Sequence, residues 1–482
     1  MTNKNPNAGL GDNRELGSVF NSDIDGLLTL SSDNRELGSV FNGDINGLLL
    51  VASGKGSAPD EYRQMVRDML GYGMTVLAQN VGLPDPVIYR SRIATGFDKH
   101  LVEVGVKTWQ DVWDPHDGST DAAVRENHQH QANAMRRLVE YGTDPFTITI
   151  EECRKCGVPI VASYRMNSED WYANNYLLSD FERQHPEWRV RYAPYSEEWQ
   201  AWKTHNDARG EPTDEFAGCL DPAVPEVYAH RMAIFREVAE DYDIDGIEFD
   251  WRRMHHMISD PRNNHPILTR MVRQTRQMLN EVARNRGRDR LLLGVRVCGS
   301  LDTPAAVARY GGSDPLNHAD LSCTELGLDV RTWIAEELVD YVCPSLFWPC
   351  LPGVPWTKEF VDLAKGRNVG IYPTVFPMPT WAEDGERPVQ DSLDARRRHK
   401  NEIVKAALQC YDDGADGIST YNWNRDDPDS PLRPRLRRHF SSPQYGRSCE
   451  GYSRVCMQVH PALPNSTTLR ELLDADPPAP GL

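Results

Sequence analysis

The chain predicts an α/β protein, a (β/α)₈ barrel with long βα loops and a short C-terminal extension, on three observations. From Met74 onward, strand-like runs alternate with helix-length segments, the pattern of a parallel sheet covered by helices. About eight such strands over ~350 residues suit a closed barrel better than an open doubly wound sheet. No GxGxxG or P-loop follows any strand, which removes the usual nucleotide-binding alternatives.

Taken in order, the first fifty residues hold a duplication. Asp12 to Asn21 recurs as Asp33 to Asn42, and Gly26-Leu27-Leu28 recurs as Gly47-Leu48-Leu49. Two copies are too few for a solenoid. The second copy runs into Leu48–Ala52 and a helical stretch at Glu61–Gly71, so the first strand is placed at Leu48–Ala52 and residues 1–32 are read as a duplicated or extra arm. Further strands are expected at Thr75–Asn80, Pro159–Tyr164, Gly246–Trp251, Leu291–Cys298, Val339–Trp348, Val369–Phe376 and Asp416–Trp423, with a weak ninth near Leu326–Val330. Helices are expected at Pro225–Asp241, His265–Arg286 and Arg397–Asp413. The barrel is thus bounded at 33–425, and 426–482 form a polar, Pro-rich extension. The connections Asn80–Thr147 and Asn167–Val224 exceed plain helices, and long loops at the C-terminal ends of barrel strands are where substrate sites are built.

Among 482 residues, 39% are hydrophobic, enough for a large core, and the formal charge of −18 argues against nucleic-acid or anionic-membrane partners, which need clustered Lys and Arg. No apolar run reaches the ~18 residues of a membrane span, and the first residues lack the apolar region of an export signal. Ten cysteines are scattered, with Cys153-x-x-Cys156 the close pair, expected on a helix as structural thiols. That usage suits a reducing compartment, so a cytoplasmic location is expected.

The stretch Tyr242–Arg253 carries the chemistry. Ile247, Phe249 and Trp251 alternate with Glu248, Asp250 and Arg252, so a strand here has an apolar face and a charged one. Turned into the barrel, the charged face brings two carboxylates to the end where such barrels do chemistry. Glycoside hydrolysis needs two carboxylates. Residues two apart on a strand have Cα atoms about 6.5 Å apart, between the spacings of retaining and inverting pairs. Two like charges this close raise one pKa, unless Arg252, Arg165 or Arg296 cancels the effect. Glu325 is a second-rank partner. Histidine offers a competing chemistry through His255-His256 and His128-x-His130, but no His-x-His ends the first strand as a metal-dependent barrel would want. No metal or cofactor is expected, nor, without a Gly-x-Ser-x-Gly elbow, a serine nucleophile.

Asp245-Gly246-Ile247-Glu248-Phe249-Asp250-Trp251 resembles the strand-four signature of family 18 chitinases, Asp-Gly-apolar-Asp-apolar-Asp-Trp-Glu. Arg252 stands where those enzymes have their acid, so the resemblance does not extend to their mechanism. Closer in character is the glycosyl-hydrolase-like 10 group, with Tyr-Asp-x-Asp-Gly-Ile-x-apolar-Asp on this strand. Tyr242 to Asp250 follows that pattern, with Glu248 where the group often has His. Arg165-Met166-Asn167, His185-Pro186-Glu187-Trp188, Gly327-Leu328-Asp329-Val330-x-x-Trp333 and Asp416-Gly417-Ile418 match it in order across residues 33–425. The resemblance implies a carbohydrate-active barrel with Asp250 at its centre.

The expectation is a glycoside hydrolase acting on an oligo- or polysaccharide, with catalytic candidates Asp250, Glu248 and Glu325. Arg165, Asn167, Arg252, Arg296, Tyr421 and Asn424 are candidates for holding sugar hydroxyls, and Trp171, Trp348 and Trp423 for stacking on sugar faces. Two alternatives stay open: a non-catalytic carbohydrate-binding barrel in which Arg252 neutralises the carboxylates, and a metal-dependent hydrolase.

Overall fold

A computed structural model describes residues 33–43, 59–71, 73–99, 133–166, 179–190, 220–252, 257–302, 322–346, 356–375, 393–421, 455 and 458–477. Nine parallel strands form one curled sheet: β1 (Ser39–Gly43), β2 (Val76–Gly82), β3 (Ile160–Arg165), β4 (Gly246–Asp250), β5 (Leu292–Cys298), β6 (Tyr341–Ser345), β7 (Gly370–Ile371), β8 (Thr374–Val375) and β9 (Ile418–Tyr421). Their spatial order is β7-β6-β5-β4-β3-β2-β1-β9-β8. The outermost members of that order, β7 and β8, are consecutive in the chain and separated only by Tyr372-Pro373. Gly370 N donates to Asp340 O and Tyr372 N to Val342 O, while Asp416 N donates to Ile371 O and Ser419 N to Pro373 O. The short segment 370–375 therefore bonds the β6 chain on one side and the β9 chain on the other.

The covering helices are α1 (Pro59–Leu70), α2 (Pro145–Cys156), α3 (Asp180–Gln184), α4 (Pro225–Asp241), α5 (Pro261–Asn285), α6 (Val330–Ala335), α7 (Thr357–Ala364), α8 (Leu393–Asp412) and α9 (Ser466–Asp474). Local chemistry sets several boundaries. Asp144 caps α2 by accepting from Thr147 N at 2.7 Å, Pro145 opens it, and Gly157 at φ 71° ends it. Pro225 and Pro261 open α4 and α5, where a missing N–H costs nothing. Cys153 and Cys156 lie on α2 as expected.

The sheet separates two cores. Its outer face packs against the helices: Phe249 lies 4.8 Å from Phe235 of α4, and Trp251 lies 6.5 Å from Trp333 of α6, centroid to centroid. Its inner face holds a smaller cluster, Leu37, Val40, Val76, Ala78, Val161, Leu292, Tyr341, Cys343 and Tyr372. The strands are buried on both faces, as in a sheet covered by helices. In the extension, α9 lies beside α8, and His460 meets the Phe41 ring at 5.4 Å. Among the described residues no helix is long and apolar enough to cross a membrane.

Two expectations need correction. The first described strand is Ser39–Gly43, which fills the place between β2 and β9, and Leu48–Ala52 lies outside the described residues. The apolar run there suggested a strand, but β1 is short and alternating, with Val40 turned to the inner cluster and Phe41 to the outer core. The proposed ninth strand at Leu326–Val330 is a turn leading into α6. Gly327 sits at φ 76°, and Asp329 caps the helix by accepting from Thr332 N at 3.1 Å.

Candidate functional site

The alternation of β4 does what its sequence requires. Ile247 and Phe249 face the helices, so Glu248 and Asp250 turn to the inner face, where they are 0% and 3% exposed. Register then chooses their neighbours. Glu248 lies level with Ser163 of β3 and Gly294 of β5, and Asp250 lies level with Arg165 and Arg296.

Glu248 is enclosed. Its Oε1 accepts from Asn42 Nδ2 at 2.7 Å and Ser163 Oγ at 2.8 Å, and its Oε2 from Tyr341 OH at 3.0 Å. Asn42 Oδ1 accepts in turn from Ser419 Oγ at 2.9 Å, so one carboxyl ties together β1, β3, β4, β6 and β9. Tyr341 reaches it across Gly294, where a Cβ would meet the Tyr341 ring at 2.0 Å. Burial, and next the charge of Asp250, push the Glu248 carboxyl up to about 7, while Arg296 and Ser163 act against the rise.

Asp250 sits one step nearer the C-terminal end of the strand. Its Oδ1 accepts from Arg296 Nε and from the backbone N–H of Arg252, both at 2.9 Å, and its Oδ2 faces Arg296 Nη2 at 2.9 Å. The guanidinium of Arg296 lies over the Tyr421 ring, 4.1 Å from its centroid. Tyr421 OH accepts from Arg165 Nη2 at 2.8 Å, and Arg252 Nε donates to Ser345 O at 2.5 Å. Six of the residues predicted from sequence thus meet in one network: Glu248, Asp250, Arg165, Arg252, Arg296 and Tyr421.

Glu325 is placed differently. It is exposed, and its Oε2 accepts from Ser322 N at 2.8 Å and Ser322 Oγ at 2.9 Å, closing a turn beyond β5. Asn167, Trp171, Trp348, Trp423 and Asn424 lie outside the described residues, as do His255, His256, His128 and His130. Among the described residues, no group of three or more His, Cys, Asp or Glu side chains could hold a metal ion.

Sequence reasoning missed Asn42, Ser163, Tyr341 and Ser419. Ser163 was within reach, because Val161, Ser163 and Arg165 alternate on one face of β3. Asn42 was hidden by the misplaced first strand. Tyr341 and Ser419 follow from register, which no local pattern announces.

No family model matches the chain. It is 23% identical over 268 residues to the glycosyl hydrolase DigH of Escherichia coli O6:H1, a match covering 48% of this chain and 53% of that protein. It is 24% identical over 259 residues to DigH of Escherichia coli strain K12, again covering 48% and 53%. The chain therefore spans about half the length of these curated relatives. Among solved structures, a variant of AmyP in complex with maltotriose matches with a TM-score of 0.38 and 11% identity, covering 91% of this chain and 82% of that one. A cycloisomaltooligosaccharide glucanotransferase from Paenibacillus sp. matches with a TM-score of 0.35 and 10% identity, covering 72% and 39%. In sequence, the chain is weakly similar, over about half of its length and of theirs, to curated glycosyl hydrolases.

Proposed function

We propose that the chain is a glycoside hydrolase acting on an oligo- or polysaccharide at the C-terminal mouth of a closed (β/α)₈ barrel. Segment 370–375 acts as one strand in this reading, since it bonds chains on both sides. The observation that carries the function is Asp250, a carboxylate ending β4 on the inner face, at the end of a parallel sheet where barrel enzymes place their chemistry. The similarity to curated glycosyl hydrolases supports the choice of reaction.

The residues divide the work by their contacts. Asp250 accepts in all three of its hydrogen bonds, from Arg296 and from Arg252 N, and is assigned as nucleophile, base or stabiliser of the developing positive sugar. Glu248 lies beneath it, held by Asn42, Ser163 and Tyr341, and acts as a positioning residue that sets the depth and direction of β4. The acid comes from a loop at the mouth, and Glu325 is the described candidate. Asn167, Trp171, Trp348, Trp423 and Asn424 remain assigned to sugar contact from their places in the sequence.

One observation favours a second reading. Both oxygens of Asp250 are occupied by the fork of Arg296, as they would be in a carbohydrate-binding barrel without turnover. A turnover screen on glycan panels with wild type and Asp250→Asn separates the two. The enzyme reading expects wild-type turnover to fall by a factor of about 10²–10⁴ in the variant, with sugar binding not weakened. Wild-type binding without turnover on any glycan selects the binding barrel.

A further inference from the structure

The inner face of the C-terminal half of the sheet is built for more than neutral hydroxyls. Among the described residues it presents three buried guanidiniums, those of Arg165, Arg252 and Arg296, against two carboxylates, those of Glu248 and Asp250. Cations are placed here at 2–3% exposure, where desolvation is costly, in a chain whose formal charge is −18. Glu248 is consumed by Asn42, Ser163 and Tyr341, and Asp250 by Arg296 and the Arg252 backbone.

Arg296 is the informative member. Its Nε and Nη2 hold Asp250, and its plane is fixed over the Tyr421 ring, which is itself fixed by Arg165. Its third nitrogen, Nη1, is buried and has no hydrogen-bond partner. Other buried guanidinium nitrogens of the protein also have no partner, among them Arg231 Nη1 and Arg276 Nε, and Arg296 Nη1 is distinguished by its place on the inner face beside Asp250. Further buried polar atoms at this end have none either, among them Asn80 Oδ1 on β2 and Ser300 Oγ just beyond β5. A planar cation held rigidly from two sides, with one amino group left over, suits an oxyanion.

We propose that this mouth takes an acidic sugar, one bearing a carboxylate, sulfate or phosphate group, and that Arg296 Nη1 is the donor that selects it. The proposal rests on the reading of the mouth as a glycan site and names the substrate class. Because the whole chain is strongly negative, long polyanions are repelled at a distance, so the selection concerns a single acidic group close to Arg296.

The test reads binding and not turnover, so a failed glycosidase assay leaves it intact. Wild type is titrated calorimetrically, at one ionic strength, with matched pairs: glucuronate against glucose, galacturonate against galactose, and the 6-sulfate and 6-phosphate of N-acetylglucosamine against the parent sugar. At least one acidic member is expected to bind about tenfold more tightly than its neutral partner, and the pair that responds names the anion. Arg296→Lys, which keeps the charge but loses the planar group, is expected to reduce the preference to about twofold or less. Asp250→Asn, which loosens the internal competitor for the same guanidinium, is expected to tighten acidic-sugar binding. Equal affinity within every pair, or no binding by any acidic sugar up to about 50 mM, overturns the proposal. So does a preference that survives in a folded Arg296→Lys protein. If circular dichroism shows that this variant does not fold, an acidic-sugar affinity unchanged in Asp250→Asn overturns it instead.

Discussion

The two ends of the sheet use carboxylates in opposite ways. At the N-terminal end, Asp245, Asp340 and Asp416 each precede a strand and accept a backbone N–H from the neighbouring one. Asp245 Oδ2 takes Ile160 N at 2.8 Å, Asp340 Oδ2 takes Leu293 N at 2.6 Å, and Asp416 Oδ2 takes Ile371 N at 2.9 Å. Two of them are also neutralised by pairs of arginines: Asp245 by Arg154 and Arg288, Asp340 by Arg276 and Arg290. At the C-terminal end, Glu248 accepts from the side chains of Asn42, Ser163 and Tyr341, and Asp250 takes its backbone N–H from Arg252, two residues further along. The first group seals the start of the strand ladder by accepting the backbone N–H of a neighbouring strand. The second group holds side chains of the inner face, among them Arg296, whose Nη1 has no partner.

Among the N-terminal carboxylates, Asp340 meets the most partners. Asp340→Ala removes the acceptor of Arg276, Leu293 N and Asn34 Nδ2 and strands a buried guanidinium that burial has already pulled down to about 10. A loss of about 3–5 kcal/mol in urea unfolding is expected. A loss below about 1 kcal/mol would mean that the N-terminal carboxylates are not the structural set.

Glu248 provides the next largest effect, in its pH dependence. Its folded value of about 7 lies above the ordinary 4.5, so the folded state holds a proton that the unfolded state releases. That contribution is complete below about 4.5 and is lost as pH rises through about 7. Glu248→Gln cannot titrate. From pH 4.5 to 8 the stability difference between the two proteins should move about 2–3 kcal/mol in favour of the variant. Parallel stability curves for the two would show that the carboxyl is not held protonated.

A smaller effect is expected at Gly417. A Cβ there would meet Gly38 O at 2.0 Å, so Gly417→Ala forces β1 and β9 apart, and about 2 kcal/mol of destabilisation is expected by thermal or urea melting. Least of all is Glu325→Ala. The residue is exposed and bonded within its own turn, so a change of about 0.5 kcal/mol is expected, and an activity loss without a stability loss would assign it the acid role.

Much of the scaffold was legible because its causes are local. Pro225 at the first helical position and the polar turn after Asp241 delimit α4 at the residues expected. The alternation of Glu248 and Asp250 with Ile247 and Phe249 fixed which side of β4 each would face. The recurring Asp-Gly-Ile at 245–247 and 416–418 was visible as a pattern, though its meaning was not. In both places Asp reaches one neighbouring strand and Gly admits the backbone on the other side, since a Cβ at Gly246 would meet Leu292 O at 2.4 Å and one at Gly417 would meet Gly38 O at 2.0 Å.

By itself, the sequence determined the parallel alternation of strands and helices, the bounds of α4, and the inward parity of Glu248 and Asp250, because hydropathy period and helix-end signals are read within one segment. Only the tertiary structure decided that Ser39–Gly43 is the strand between β2 and β9, that Tyr341 crosses Gly294 to bind Glu248, and that Arg296 is the arginine that clasps Asp250. Each of these depends on register between strands tens to hundreds of residues apart. A shift of one residue would turn Arg296 to the helices and leave Asp250 to another partner.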